Sequence, residues 1–393
     1  MPESYEVNLV GETLRHARDI VDIWRHEAVK DAVGAFLHWS GGNTLGELML
    51  RQLADVQPVD PRLATEVGGI ALKRPVGLGP GYDKRGTMIR AFEVLGAGHA
   101  SVGGYTLDRQ WGKPMPRVRT FNKRVGDHGT RISHNAYGFP NPSSEVGAEN
   151  IEEQRARGAT IPIVGQVTVR QEIFSEGRYD EIPQILTETV RPLLPVVDAI
   201  NIGLSSPNIE GMRANQRART LIESIWRIQD MMAAEGRIIP IILKGDGDGG
   251  EERNDMYCVV YEATKIILEL INTTSLRRIK AKYGAENLPG GLAGADPDYR
   301  QLALDTVKDI YEKTGAPIIG MGGISNGELG LNMIGAGASA LSVFSAIPDQ
   351  GLGVIGKIGR DMSRILTERY PNVVSLDQFI GKDTKRGSKS KAA

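Results

Sequence analysis

One cysteine in 393 residues, Cys258, leaves the chain no internal disulfide to form, which removes the disulfide-stapled secreted scaffolds and fits a reducing compartment. Histidine is nearly as scarce. All six imidazoles lie at or before His134, so the rest of the chain has none for a zinc site or a Ser/His pair. Charge of one sign is missing too: 47 Lys and Arg against 48 Asp and Glu give a net charge of -1, with no basic stripe for a nucleic-acid backbone. No apolar run approaches the roughly eighteen residues of a membrane span, and no apolar leader with a cleavage site opens the chain. Together these absences predict a cytosolic protein that does not cross a bilayer, does not bind nucleic acid and does not work through a metal.

Glycine, in contrast, is plentiful at 48 residues, with an apolar share of 40%. Many tight strand-to-helix turns around a full core would use both. Eight short apolar runs recur, at residues 75–78, 100–102, 161–167, 198–204, 238–243, 266–271, 316–319 and 340–344. They lack the in/out alternation of a half-exposed strand, as expected of parallel strands buried on both faces. Amphipathic stretches separate them: Asp296-Pro297 reads as a cap and first turn, Leu302, Val307 and Ile310 form a stripe, and Lys313-Thr314-Gly315 is a stop. Eight strand–helix units predict a (β/α)8 barrel at residues 56–380. The sixth unit has a second reading, since residues 256–271 also fit one helix through Val259, Ala263, Ile267 and Leu270. The gap after the second run is far too long for a βα connection, so an inserted lid is expected at about 104–160.

Ahead of the barrel, a helical extension is expected over residues 1–55. Leu14, Ala17, Val21, Trp24, Ala28 and Ala32 form one stripe, and a second helix through Leu45, Leu48 and Leu50 follows the Gly41-Gly42 break. The stripe either packs on the barrel or meets a lipid-soluble partner. Residues 381–393, with Lys382, Lys385, Arg386, Lys389 and Lys391, are expected to be a solvated, disordered basic tail.

Reactive groups in such barrels sit just after each strand. The first strand ends in Gly79-Pro80-Gly81-Tyr82-Asp83-Lys84, the fourth in Asn201 and Ser205-Ser206-Pro207-Asn208, the fifth in Lys244 and the sixth in Asn272-Thr273-Thr274. The seventh gives Gly320-Met321-Gly322-Gly323-Ile324-Ser325 and the eighth Phe344-Ser345. Glycines opening a helix after the seventh strand suit a phosphate, although a tight turn alone explains them equally well. Lys84 and Lys244 are surface ammoniums by default, but their place immediately after apolar strands aims them into the mouth. Asn135, Asn208 and Asn272 are each ordinary turn residues singly; as a set they offer the paired donors and acceptors that match a pyrimidine edge.

These residues resemble the dihydroorotate dehydrogenase family, from about Leu72 to Ile347. The motifs are residues 75–84, Asn135-Ala136-Tyr137-Gly138-Phe139, residues 205–213, Lys244, Asn272-Thr273-Thr274, Gly290-Gly291-Leu292-Ala293-Gly294 and residues 318–324. Ser206 stands at the base position, where serine marks the quinone-linked class, and the helical extension suits that class at a membrane surface. The resemblance implies FMN, a proton taken by Ser206 from C5 of dihydroorotate, a hydride passed from C6 to the flavin, and electrons given on to a quinone in pyrimidine biosynthesis. Lys84 would touch flavin and substrate. Gly79, Pro80, Gly81, Gly104, Asn201 and Lys244 would hold the flavin, as would Ile271, Gly294, Gly322, Gly323, Phe344 and Ser345. Asn135, Ala136, Tyr137, Gly138 and Phe139 would hold the substrate with Asn208, Asn272 and Thr273.

The departures are specific. Asn201 stands five residues before Ser206 where the family spaces three, so Gly203-Leu204 reads as an insertion. Gly104 and Ile271 replace threonines, Ile163 an asparagine, Ala136 an arginine and Ala293 a serine of the family pattern. Two other readings stay open: the same FMN barrel acting on a different reduced ring, and a barrel that binds a ligand without turnover.

Overall fold

The computed structural model describes residues 27–54, 58–114, 117–121 and 132–390. A hairpin, β1 (Thr65–Val67) and β2 (Ile70–Leu72), comes first among the strands. The barrel strands β3 (Val76–Asp83) and β4 (Ala100–Tyr105) follow, then two lid strands, β5 (Val118–Phe121) and β6 (Ile132–Asn135). Next come β7 (Ile163–Val167), β8 (Ala199–Ile202), β9 (Ile241–Lys244) and β10 (Ile267–Leu270). The chain continues through β11 (Gly291–Gly294), β12 (Ile318–Gly320) and β13 (Ala340–Val343). Strands β3, β4, β7, β8, β9, β10, β12 and β13 pair in parallel and close on themselves, so each of the eight apolar runs is a barrel strand. The fold is a (β/α)8 barrel.

Local chemistry explains the boundaries. Asp296 Oδ1 accepts the Tyr299 N–H at 2.9 Å, Pro297 supplies the first turn, and Gly315 at φ 68 ends the helix Pro297–Thr314. In the ambiguous sixth unit the helix Gly250–Thr264 stops at Lys265, which has left-handed φ, and β10 begins two residues on. The hairpin closes the barrel floor: Val67, Ile70 and Leu72 pack against Val164, Ile242, Ile267 and Ile319. Burying three such side chains contributes roughly 5 kcal/mol before entropy is counted.

Two boundaries are corrected. The lid is shorter than residues 104–160, because Ser144–Ala156 is a capped helix packed on β4, where Gly147 leaves room for the Tyr105 ring. The lid also draws on a remote strand: β11 pairs antiparallel with β6, and β6 with β5. The basic tail is ordered through the helix Lys385–Ser390 and not disordered, although Lys385 and Arg386 stay exposed. Arg386 donates to the carbonyls of Glu312 and Lys313, the unpaired last turn of the helix Pro297–Thr314, and Gly381 N–H donates to Ile334 O at 3.0 Å.

Among its described residues the extension forms two helices, Glu27–Ser40 and Thr44–Ala54. Leu14, Ala17, Val21 and Trp24 of the predicted stripe lie outside the described residues. Leu37, Leu50 and Ala54 are buried, whereas Trp39, Leu45, Leu48 and Met49 are exposed. The pair sits beside the C-terminal end of β3: His38 Nδ1 lies 3.1 Å from Thr87 O, and Arg90 pairs with Glu47 at 2.7 Å. Among the described residues no helix is long and apolar enough to cross a membrane.

Candidate active site

At the C-terminal mouth of the barrel, under the lid, lies a cavity enclosing about 1790 Å³ including its open entrance. Strand ends and lid supply its walls. From β3 come Pro80, Gly81, Tyr82 and Lys84; from the lid come Asn135, Tyr137 and Phe139. Lys84 Nζ lies 3.5 Å from the centre of the Tyr137 ring, which holds an ammonium against an aromatic face inside the cavity. The buried Asp83 carboxylate next to it accepts backbone N–H groups from Gly86 at 2.8 Å and Met88 at 2.8 Å. It fixes the turn that presents Lys84.

Ser206 lines the cavity and Ser205 does not. Ser206 Oγ accepts the Asn208 N–H at 3.2 Å, and Asn208 Nδ2 donates to Asn135 Oδ1 at 2.8 Å, so one chain of hydrogen bonds joins the fourth-strand loop to the lid. Ser205 turns the other way, its Oγ accepting from Asn272 Nδ2 at 3.2 Å. Arg213 ties these loops together: Nε donates to Ser205 O at 2.7 Å, Nη2 to Thr273 O at 2.6 Å, and Nη1 pairs with Asp248. Asn272 and Thr273 both reach the cavity.

Lys244 closes the cavity floor at the end of β9. Burial pulls its ammonium below the usual lysine range, Glu269 opposes that shift, and Arg213 adds to it. The seventh-strand turn follows, with Gly322 at φ 127 and Gly323 at φ 70. A Cβ at Gly322 would lie 2.5 Å from Ala303 Cβ, and one at Gly323 2.5 Å from Gly294 O. Only glycine fits here. The helix after this turn starts at Gly327, capped by Asn326. Phe344 and Ser345 complete the wall, Phe344 meeting Tyr82 edge-on at 5.5 Å.

Fifteen of the expected site residues therefore face one cavity, and seven do not. Gly79 lies against β13, its Cβ position 3.2 Å from Val343 O, and Gly138 against Lys113. Gly104, at φ 96, sits behind Phe139, and the neighbouring Gly103 lines the cavity instead. Ile271 is wholly buried; Ala136 and Gly294 serve the lid, the former donating its N–H to Arg117 O at 2.8 Å, the latter pairing with Ile132. Asn201 lies beneath the floor, its Nδ2 donating to Glu269 Oε2 at 2.8 Å. On the third strand Ile163 is buried away from the cavity, and the amide that reaches it belongs to Gln166. Gln166, Ser342, Arg117 and Ser133 were missed from sequence. For Gln166 and Ser342 the signal was there: a polar residue inside an otherwise apolar strand.

The FMN implied by the resemblance fits this cavity. An ammonium and two amides at its floor suit a heteroaromatic ring, and a backbone turn closed to any Cβ suits a phosphate. Asn201 Oδ1, buried without a partner, is an acceptor in keeping with a polar layer below that ring. Behind the turn, Arg300 Nε donates to Gly323 O at 3.0 Å and adds positive charge.

Comparison with known proteins agrees with the geometry. Curated relatives named dihydroorotate dehydrogenase (quinone) include one from Sphingopyxis alaskensis, 30% identical over 80% of this chain and 86% of its own. Another, from Erythrobacter litoralis, is 29% identical over 86% of this chain and 93% of its own, and the mitochondrial enzyme of Mus musculus is 27% identical over 82% and 80%. A solved dihydroorotate dehydrogenase from Eimeria tenella, crystallised with ferulenol, superposes with a TM-score of 0.74 at 23% identity, covering 86% of this chain and 95% of that one, which speaks for the fold. The profile of the family described as dihydroorotate dehydrogenase matches residues 62–366, most of the chain. The chain belongs to the dihydroorotate dehydrogenase family.

Proposed function

We propose that this protein oxidises dihydroorotate to orotate in pyrimidine biosynthesis, with FMN as cofactor and a quinone as acceptor. The observation that carries the reading is the convergence of Ser206, Lys84, Asn135, Asn208, Asn272 and Lys244 on one cavity. Lys244, Gln166 and the Gly322-Gly323 turn would hold FMN, and bound there FMN supplies the two-electron acceptor for hydride leaving the substrate ring. The ring's amide edge matches Asn135, Asn208 and Asn272, and its carboxylate matches the Lys84 ammonium. Ser206 takes the C5 proton as its own hydroxyl proton passes to water in the open cavity. The Asn208 N–H already aimed at Ser206 Oγ stabilises the negative charge that builds on that oxygen, with no reorganisation at the moment of transfer.

The acceptor side rests on the N-terminal helices. Trp39, Leu45, Leu48 and Met49 are exposed apolar residues next to the β3 end that carries Lys84. They suit a quinone and the lipid surface from which it comes, making the protein a peripheral visitor to the inner face of the cell membrane. Two measurements test the reading. Purified protein is expected to be yellow with about one FMN per chain, and anaerobic dihydroorotate is expected to bleach that colour, with a quinone restoring it. A colourless protein that takes up no added FMN, or a flavin that dihydroorotate leaves oxidised, refutes it.

A further inference from the structure

Glu269 is the unexplained residue of the barrel. It stands in β10 among Ile267, Leu268, Leu270 and Ile271, and it has no exposed surface. A carboxylate in such a place costs several kcal/mol unless other groups replace its water. Two do: Asn201 Nδ2 donates to Oε2 at 2.8 Å and Ser342 Oγ to Oε1 at 2.9 Å. Asn201 is on β8 and Ser342 on β13, each two strands away from β10 and on opposite sides of it. Only a side chain pointing into the barrel spans both. Ser342 and Lys244 line the cavity, so the carboxylate lies directly under its floor.

The rest of the network follows from hydrogen counting. Since the Ser342 hydroxyl proton goes to Glu269, its oxygen accepts from His99 Nε2 at 3.2 Å, so in the neutral imidazole the proton is on Nε2. Burial depresses the His99 pKa to about 4 and so maintains that neutral form. His99 therefore brings no positive charge to the carboxylate. Lys244 does: it is the register partner of Glu269 on the adjoining strand.

We propose that Glu269 is a positioning residue of the flavin site, a buried counter-charge that acts through Lys244 and Asn201 to make the bound flavin harder to reduce. An ammonium under a flavin favours the reduced form, which carries the added negative charge; a carboxylate one strand away offsets part of that attraction. The same carboxylate turns the Asn201 amide so that its oxygen, and not its NH2, is left over for the layer above. This inference rests on the assignment of FMN to the cavity but not on the identity of the substrate.

The test is a redox titration of FMN-loaded protein with dithionite and a reference dye, which needs no dihydroorotate. Glu269→Gln keeps the shape and removes the charge. It is expected to shift the oxidised-to-reduced balance at a fixed potential on the order of tenfold toward reduced flavin, as for one charge removed at a separation of several ångströms in a partly screened interior. By linkage, reduced FMN binds tighter by that factor while oxidised FMN binds nearly as before. Glu269→Asp, which retains the charge, should stay within about threefold of the parent. A Gln variant that binds FMN with an unmoved potential overturns the inference. Should Gln not fold, Glu269→Met is measured in its place, and collapse of both would make the carboxylate a requirement of the fold and overturn it equally. A shifted potential in a protein that dihydroorotate cannot reduce would support this inference and refute the substrate assignment.

Discussion

Removing one hydroxyl from the fourth-strand loop separates two serines that the sequence places side by side. Ser206→Ala takes the only group of that pair lying on the cavity wall, and with it the acceptor of the Asn208 N–H. Loss of a general base slows proton transfer by roughly 10²–10⁴, so flavin reduction by dihydroorotate is expected to fall at least a hundredfold. FMN should remain bound with an unchanged spectrum, because the groups assigned to it lie on other strands. Ser205→Ala removes an acceptor from Asn272 Nδ2, which keeps the Ser205 carbonyl at 3.2 Å. That substitution costs about 1 kcal/mol of stability and leaves the reduction rate within roughly threefold. Anaerobic stopped-flow absorbance of the bound flavin reads both rates, and urea unfolding reads the stability difference. Equal losses of rate, or a larger loss in Ser205→Ala, would show that the hydroxyl facing the cavity is not the base.

The remaining expectations concern pH and the N-terminal helices. His99 and His134 both have pKa values depressed by burial to about 4, so the unfolded chain binds protons below pH 6.5 that the folded one does not; stability is complete above that pH and falls as pH drops toward 4, by about 3 kcal/mol for the wholly buried His99. His99→Gln should flatten its share of that acid slope in denaturant titrations, and an unchanged slope would remove His99 from the account. Deleting residues 1–39 takes away the buried Leu37, worth roughly 2 kcal/mol, yet it should leave flavin reduction by dihydroorotate intact and cut reoxidation by quinone more than by a small soluble acceptor. A folded truncation with an undiminished quinone rate would reduce these helices to scaffold.

How much of this was legible beforehand depended on whether a residue answered to local or to remote partners. All eight barrel strands could be read, because a parallel strand buried on both faces needs continuous apolar character whatever surrounds it. The helix at residues 297–314 was as plain, since Asp296, Pro297 and Gly315 satisfy its ends locally. The lid was half visible: its length announced an insertion, but nothing near Gly291 signals that β11 will pair with β6, some 150 residues earlier in the chain. The tail was misread because one of its cations, Arg386, bonds carbonyls at the end of a helix distant in sequence. Charge next to a chain terminus looks solvated until a helix C-terminus is found for it.

Gly203 shows why spacing alone misplaced Asn201: standing three residues before Ser206, it lines the cavity, whereas Asn201 lies earlier in β8 and does not. Gly203 keeps the strand pattern for one more residue, its N–H donating to Val167 O at 2.8 Å and its carbonyl accepting from Thr168 Oγ1 at 2.9 Å. A Cβ there would meet Gln166 Nε2 at 3.1 Å, so any larger residue would press on that amide. Leu204 then turns into the core. The chain reaches Ser206 at the wall while Asn201 stays a layer lower, within reach of Glu269. Asn201 and Glu269, two polar residues set into buried strands, are thus hydrogen-bond partners. Without Asn201 the Glu269 Oε2 loses its donor, and without Glu269 the Asn201 NH2 loses its acceptor, while Asn201 Oδ1 has no partner among the described residues. Polar residues that break the pattern of a buried strand, as Gln166, Asn201, Glu269 and Ser342 do, mark the floor of this active site more directly than the motifs at its rim.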